Sequence, residues 1–454
     1  GGVCQTPDYW GNNYFDDVYW TGEIHKKFAG YCTDIWFQAA MGFIQANRDR
    51  PFFCYIPTNA PHSPHLDAPE FSAPYLEETP HADRANYYGM VTNIDRNVGL
   101  LRAFLAELGL AHNTIFIFMT DNGSGGGVDV DADHFVVSGH NSGMRGKKNS
   151  EYDGGHRVPC FIHWPAGGLA HGRDVTHVTA NVDMVPTLMA LCDLGEADSL
   201  ELDGANLAPL LADPDAPWPE RALVTDSQRV ASPIKWRKSA VMTDRWRLVN
   251  GRELYDIAAD PGQQRDIAPA YPEVVAGLRQ AYEEWWEKVA RQFDDEIPIP
   301  LGMDAQEVRL NSHDWRNEAC DCAWNQSLIR EGIRSNGYWE VEVKQPGRYR
   351  FELRRWPREE AIPLTAGIPG APVPFEQLTI HSGYGGGVAI PITGARLRIG
   401  SVNQAAAVSA PAQSAQFTVD LPAGPAHLQT AFHSADGADL GAYYVYVQRL
   451  DPAT

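Results

Sequence analysis

At 454 residues the chain exceeds what one ordinary core organises, so two domains are expected. Hydrophobic content of 44% with 21% charged residues is that of a globular protein and excludes a disordered chain. A formal charge of −21 argues against nucleic acid as a partner, since phosphate binding needs a basic face, and no apolar run approaches the ~18 residues of a membrane span.

The chain opens Gly1-Gly2-Val3-Cys4, with neither an initiator Met nor a legible address label. Thr33 and Asp34 are suited to cap a helix reaching about Arg48, with Ile35, Ala39, Met41 and Ile44 on its inner side. Phe52-Phe53-Cys54-Tyr55-Ile56 then reads as a short buried strand. From Asp83, the residues Tyr87, Met90, Ile94, Val98, Leu101, Leu105 and Leu108 step by three and four and predict one long amphipathic helix. The continuous run Thr114-Ile115-Phe116-Ile117-Phe118-Met119 predicts a central strand buried on both sides. A further strand is expected over 158–164, and helices over 184–191 and 274–289, the last carrying Trp285 and Trp286.

Alternation of strand-like and helix-like stretches over the first 296 residues indicates an α/β domain. The stretch Ile297-Pro298-Ile299-Pro300-Leu301-Gly302 reads as a linker. Beyond it, over 303–454, apolar residues alternate or run continuously between Gly/Pro turns at 338–343, 348–353, 397–399, 416–419 and 443–447, which predicts an all-β sandwich. The seven cysteines (Cys4, Cys32, Cys54, Cys160, Cys192, Cys320, Cys322) form no CxxC pair, so neither a disulfide framework nor a zinc site is indicated. Cys54 and Cys160, inside apolar runs, read as core residues.

Three segments could carry chemistry. Thr120-Asp121-Asn122-Gly123 follows the apolar strand, where α/β sheets bind ligands, and sets a carboxylate beside an amide oxygen, both hard ligands for Ca²⁺ or Mg²⁺. A plain turn is the competing explanation. Asn59-Ala60-Pro61-His62-Ser63-Pro64-His65 holds His62 between two prolines, which suits proton transfer or anion contact, against the alternative of a surface histidine in a turn. The run from Gly143 to Pro159 places Arg145, Lys147 and Lys148 among glycines in an otherwise acidic protein, where they could hold a sulfate or phosphate or simply face solvent. Asp129, Asp131 and Asp133 do not make an EF-hand, since His134 and His140 stand where that loop needs Gly and Glu.

In this order the segments resemble the sulfatase (arylsulfatase-like) family of the alkaline-phosphatase-like superfamily, over residues 1 to about 290. The resemblance rests on Tyr31-Cys32-Thr33-Asp34, Ala60-Pro61-His62-Ser63-Pro64, Thr120-Asp121-Asn122-Gly123 and Met144-Arg145-Gly146-Lys147-Lys148. It continues through Tyr152-Asp153-Gly154-Gly155, Asp183-Met184-Val185-Pro186-Thr187 and Leu254-Tyr255-Asp256 with Asp260-Pro261. The fold this implies is a mixed, largely parallel sheet flanked by helices. The chemistry it implies is hydrolysis of a sulfate monoester, on a sulfated small molecule or glycan, by a bacterial periplasmic or secreted enzyme. Asp121 and Asn122 would ligate one Ca²⁺, Asp121 would help deprotonate the nucleophile, and His62 and Lys148 would contact the sulfate and assist departure of the alcohol. Lys148 takes the role of the family's lysine because it stands four residues before Tyr152.

One departure matters. The family's nucleophile is a formylglycine made from the Cys or Ser of a C/S-x-P-x-R motif. The only P-x-R triplets here, Pro219-Glu220-Arg221 and Pro346-Gly347-Arg348, have Pro217 and Lys344 at the required position. The expectation is an incomplete catalytic domain whose nucleophile-bearing N-terminal part is absent, inactive by itself. Two competing readings stand beside it. One is a phosphomonoesterase or phosphodiesterase of the same superfamily. The other is a non-catalytic glycan-binding protein using Trp315, Trp324, Trp339 and Trp356 of the β extension, although burial of those rings in the sandwich is the simpler account.

Overall fold

The computed structural model describes residues 10, 14–22, 24–169, 172–195, 200–213, 215–228, 230, 232–295, 297–303, 307–319, 322–370 and 385–450. After a hairpin of β1 (Val18–Thr21) and β2 (Ile24–Lys27), helix α1 spans Cys32–Asn47. Its first residue follows Tyr31, and neither Thr33 nor Asp34 caps it. Asp34 instead accepts hydrogen bonds from Asn93 (3.1 Å) and Asn97 (2.7 Å) of α3 (Ala82–Glu107), which follows the short α2 (Pro69–Ser72). The two long helices close on Phe37, Ile44, Leu101 and Leu105. The apolar stripe predicted for α3 is the face that packs, but the amide ties to Asp34 were invisible in it.

Two expectations fail beside this helix pair. The 52–56 segment forms no strand among the described residues, and Phe53 and Tyr55 are each 77% exposed. Phe52, Cys54 and Ile56 pack inward on the cluster that also holds Phe116. The apolar run at 114–119 yields β3 (Phe116–Met119), which is not a central strand buried on both sides. Among the described residues it pairs antiparallel with β6 (Cys160–His163) alone, after β4 (Val128–Val130), β5 (Val136–Gly139) and the turn of helix α4 (Asp153–His156). Phe161 is 65% exposed and Cys160, expected in the core, lies exposed on this sheet. A largely parallel sheet is therefore not formed by the described residues of this part, whose strand pairs are antiparallel. The run of apolar residues specifies a strand, but its neighbours and its cover come from elsewhere in the polypeptide.

Helices α5 (Met184–Leu191) and α6 (Ala208–Ala212) lead into a four-stranded antiparallel sheet of β7 (Leu223–Asp226), β8 (Ser239–Met242), β9 (Trp246–Val249) and β10 (Glu253–Asp256). Helix α7 (Pro272–Ala290) covers it with Val275, Leu278 and Tyr282 against Val241, Leu248 and Leu254. Among the described residues no helix is long and apolar enough to cross a membrane.

The stretch read as a linker contains β11 (Ile299–Leu301), which pairs parallel with β13 (Tyr338–Val343). Proline-rich chain is tolerated there because β11 is an edge strand. With β12 (Val308–Asn311), α8 (Gln326–Glu331), β14 (Gly347–Arg354), β15 (Ile392–Ile399), β16 (Val402–Ala407), β17 (Ala415–Leu421), β18 (Gly424–Ser434) and β19 (Tyr444–Arg449), it completes a sandwich. One sheet runs β11-β13-β18-β15-β16 and the other β12-β19-β14-β17. β17 alternates buried and exposed along its whole length, as a strand with one face on a core must. Trp315, Trp339 and Trp356 are buried in that core, leaving Trp324 as the one exposed ring of the four considered for glycan stacking. Trp10 also reaches this sandwich, edge-on to Trp356 (5.7 Å) and Tyr444 (6.4 Å) and beneath the Arg330 guanidinium (4.7 Å).

Candidate functional site

His62 sits in the turn after the unpaired 52–57 segment, between the Ala60-Pro61 and Ser63-Pro64 bonds, both cis. Its backbone N–H donates to Asn59 (3.0 Å), and its carbonyl accepts from the Tyr14 hydroxyl (2.8 Å). The Asn59 side chain is held in turn by the Trp36 indole N–H of α1 (3.3 Å). Nδ1 of His62 lies 2.8 Å from the Ser63 carbonyl. A carbonyl only accepts, so Nδ1 carries the proton and Nε2 is the nitrogen left for other chemistry.

Asp121 and Asn122 form a bend at the end of β3, with the Asn122 amide donating to the Asp121 carboxylate. The bend is locked onto the lysine-bearing loop at two points. Gly123 N–H donates to Gly155 (3.0 Å), and Lys148 N–H donates to Ser124 (3.0 Å). The approach is so close that a Cβ at Gly123 would lie 1.9 Å from the Gly154 carbonyl oxygen, which explains why a glycine follows Asp-Asn. The Lys148 stem passes Gly125, its Cδ 3.9 Å from where a Cβ would be.

The imidazole of His62 is held below its ordinary value, first by burial and then by the positive charge of Lys148, while the Asp121 carboxylate pulls the other way. Lys148 and Asp121 are therefore both near enough to act on His62, although 59 or more positions separate each of them from it in sequence. The structure brings together the His62 turn, the Asp121-Asn122 bend and the Lys148 loop.

As a cation site the bend is right in kind and short in number. Carboxylate and amide oxygens are what Ca²⁺ takes, but it takes six to eight of them. Among the described residues no group of three or more His, Cys, Asp and Glu side chains gathers to supply the rest.

Other residues of the lysine loop have structural work. Arg145, read in sequence as an oxyanion ligand, stacks on Tyr152 (3.8 Å) and Phe135 (4.3 Å) and donates to the Tyr255 hydroxyl (2.9 Å) and the Gln263 carbonyl (3.1 Å). Its charge fixes the loop onto β10 and is not left for a ligand. Asp153, fully buried, takes a 3.0 Å bond from Arg247 of β9 and a looser 3.6 Å contact from the exposed Arg157. Asp129 pairs with Arg84 and Ser138 across the β4–β5 hairpin, so the acidic loop is structural.

Sequence reasoning passed over His65. Its Nδ1 lies 2.8 Å from an Asp83 carboxylate oxygen at the start of α3, its ring meets Tyr87 edge-on, and its carbonyl accepts from Asn86 (2.9 Å). Tyr87 bonds Ser124 (3.3 Å), so α3 braces both the histidine turn and the Asp121 bend. The motif offered no signal for this, because Asp83 is remote in sequence.

Comparison with known proteins finds relatives over the stretch that folds these loops. The sulfatase family model matches residues 3–194, the stretch that carries His62, Asp121, Asn122 and Lys148. Steryl-sulfatase of Rattus norvegicus is 32% identical over 170 residues, covering 37% of this chain and 28% of that protein. Arylsulfatase A of Homo sapiens is 26% identical over 294 residues, covering 58% of this chain and 52% of the relative. The chain thus spans only about a quarter to a half of the curated relatives' lengths. Among solved structures, Ps i-CgsB in complex with k-i-k-neocarrahexaose superposes with a TM-score of 0.51 at 27% identity, covering 58% of this chain and 56% of the other. Residues 3–194 thus match the sulfatase family model, and the chain is similar in sequence and fold to sulfatases.

Proposed function

We propose that this chain carries the leaving-group and metal-side half of a site that hydrolyses a sulfate monoester, R–O–SO₃⁻ plus water giving alcohol, sulfate and a proton. The observation that supports it is the fastening of the Lys148 loop to the Asp121-Asn122 bend, Lys148 N–H on Ser124 and Gly123 N–H on Gly155 at 3.0 Å each, with both charges acting on the His62 ring. The Lys148 ammonium offsets charge on the sulfate oxygens and on the oxygen of the breaking S–O bond. His62, with Nδ1 committed to the Ser63 carbonyl, presents Nε2 to that oxygen and, in its imidazolium form, delivers the Nε2 proton to it as the alcohol leaves. Asp121 and Asn122 are the residues that would hold one Ca²⁺, which supplies electrostatic stabilisation of the bound sulfate.

The formylglycine nucleophile is expected on polypeptide outside these 454 residues, because no C/S-x-P-x-R occurs among them. The substrate class is a sulfated glycan or a small sulfate ester. The phosphoester alternative is not favoured by the family match, and the glycan-binding one loses three of its four tryptophans to the sandwich core.

Sulfate binding tests the reading. Lys148→Ala should weaken inorganic sulfate binding roughly tenfold or more at any pH, the scale of one charge-assisted hydrogen bond. His62 should add affinity only as pH falls below its ordinary value of 6.5, where the ring gains charge, and His62→Ala should flatten that pH dependence. Titration calorimetry across pH measures both. Wild-type affinity in both variants, or sulfate release from an aryl sulfate by this chain alone with Ca²⁺, would overturn the corresponding half of the proposal.

A further inference from the structure

Strand registers across β13, β18, β15 and β16 decide which side chains stand on the sheet face turned away from the sandwich core. Tyr338, Gln429, Arg398 and Asn403 lie opposite one another in one row across the four strands. The next row carries Ala431, Arg396 and Ala405, and the one beyond it His433, Gly394 and Ala407. Leu428, Leu397 and Ile399, which alternate with them, are buried in the core, so these rows are the outward ones. Small side chains around Arg396 leave it standing over a shallow floor. Beside the first row the Tyr338 ring stacks on His427 at 4.4 Å.

The chain holds 37 Lys and Arg against 58 Asp and Glu, so its cations are readily engaged by carboxylates. Arg316, Arg334, Arg354 and Arg358 of the sandwich each pair with one. Arg396 and Arg398 do not. Among the described residues neither guanidinium has an ion-pair or hydrogen-bond partner, and Nε of Arg396 is buried without one. The side-chain amides of Gln429 and Asn403, on either side of Arg398, are equally unengaged among the described residues. The carboxylates that reach this face are already matched, Glu340 by Arg316 (3.1 Å), Glu342 by Lys344 and Asp439 by His433 (2.7 Å). Residues two apart on a strand stand roughly 7 Å from each other, so the two arginines repel with nothing in the fold to offset it. At a charge of −21 the chain does not need them to stay in solution.

We propose that this face binds a sulfated glycan chain, with Arg396 and Arg398 each gripping a sulfate ester and Gln429 and Asn403 bonding sugar hydroxyls beside them. A guanidinium offers two parallel N–H donors to an oxyanion, and a free amide offers the donor and acceptor that complement a hydroxyl. An acidic peptide would match the charge but would take its backbone bonds from a sheet edge. β15, which bears both arginines, is already paired on both sides. The face needs none of the sandwich's tryptophans. The choice of sulfate as the anion rests on the sulfate-ester site proposed above, but the face lies outside residues 3–194 and is tested separately.

The probes are dextran sulfate, unsulfated dextran of equal length and polyglutamate. Each is titrated by calorimetry, at physiological ionic strength, into the full chain carrying Lys148→Ala, so that the sulfate site contributes nothing. Dextran sulfate should bind saturably and unsulfated dextran should not. Arg396→Gln together with Arg398→Gln should weaken dextran sulfate at least tenfold, the scale of one charge-assisted hydrogen bond. The melting temperature should stay that of the parent, because neither arginine has an intramolecular partner to lose. Arg48→Gln with Arg102→Gln, exposed positions of α1 and α3, removes the same charge and should leave binding intact. Unchanged affinity in the Arg396 and Arg398 variant, or an equal loss in the control pair, would overturn the proposal. So would no binding at all, or polyglutamate bound as tightly as dextran sulfate. Inorganic sulfate titrated into chains with native Lys148 keeps the two proposals apart. If Lys148→Ala leaves inorganic sulfate binding unaltered while dextran sulfate still depends on the two arginines, only the site falls; the reverse result defeats only the face.

Discussion

Arg247→Met is expected to lower the free energy of unfolding by on the order of 3–5 kcal/mol, the scale of a buried pair that loses one partner. Asp153 has no solvent exposure, and Arg247 meets it at 3.0 Å while also donating to the Thr243 and Trp246 carbonyls. Methionine fills a similar volume but leaves the carboxylate with only the distant Arg157 for compensation. The loss should reach the site, because Asp153 opens α4 directly beside Gly154 and Gly155, whose backbones hold the Asp121 bend and the Lys148 loop together. Urea unfolding gives the stability, and sulfate titration gives the consequence for Lys148. Pairing the change with Asp153→Asn should recover much of the loss, since no buried charge then remains. A single variant within 1 kcal/mol of wild type would mean that the pair is not what fastens this loop.

Asp67→Asn should have a pH signature of the opposite character, a gain at alkaline pH. Asp67 is 1% exposed beside Gly89 of α3, and burial, reinforced by Glu70, pushes its carboxyl from the ordinary 3.8 to about 8. Its protonated form is thus favoured in the folded protein. Between 3.8 and about 8 the native state binds more protons than the unfolded chain, so stability falls as pH rises. The contribution is fully present below 3.8 and is lost once pH has passed about 8. At about 1.4 kcal/mol per pH unit, that interval amounts to roughly 6 kcal/mol. Asparagine keeps the size and carries no charge at any pH. Thermal unfolding should therefore show the variant gaining on wild type from mildly acid to alkaline pH. A constant difference between the two across pH would show that Asp67 ionises normally in the folded protein.

Both residues illustrate what the sequence could and could not disclose. The apolar periods of α3, α7 and β13 were legible because local spacing decides which face a helix or strand buries. The site loops were legible as motifs, for a related reason: Gly123 and Gly155 are required where two backbones touch, and such glycines leave a readable trace. The state of the strand-forming runs was not legible. Phe52 to Ile56 and Phe116 to Met119 have the composition of buried strands, yet burial is conferred by neighbours, and the described residues leave one unpaired and the other with a single partner. Arg145 shows the same limit for charge. Its sequence context advertised a cation, whereas Tyr152, Tyr255 and Gln263, up to 118 positions away, determine that it braces the loop. The proline-rich stretch at 297–302 read as a spacer because proline opposes sheet interiors, a rule that is silent about edges.

The indole of Trp10 has a consequence for how the molecule would come apart. It comes from the beginning of the chain yet is seated among Trp356, Tyr444 and Arg330, near the other end. A protease nick between α7 and β11 would sever the backbone without separating the pieces, because the early fragment keeps a side chain planted in the later one. A sandwich produced from residue 297 onward would carry an empty, ring-sized notch where that anchor belongs.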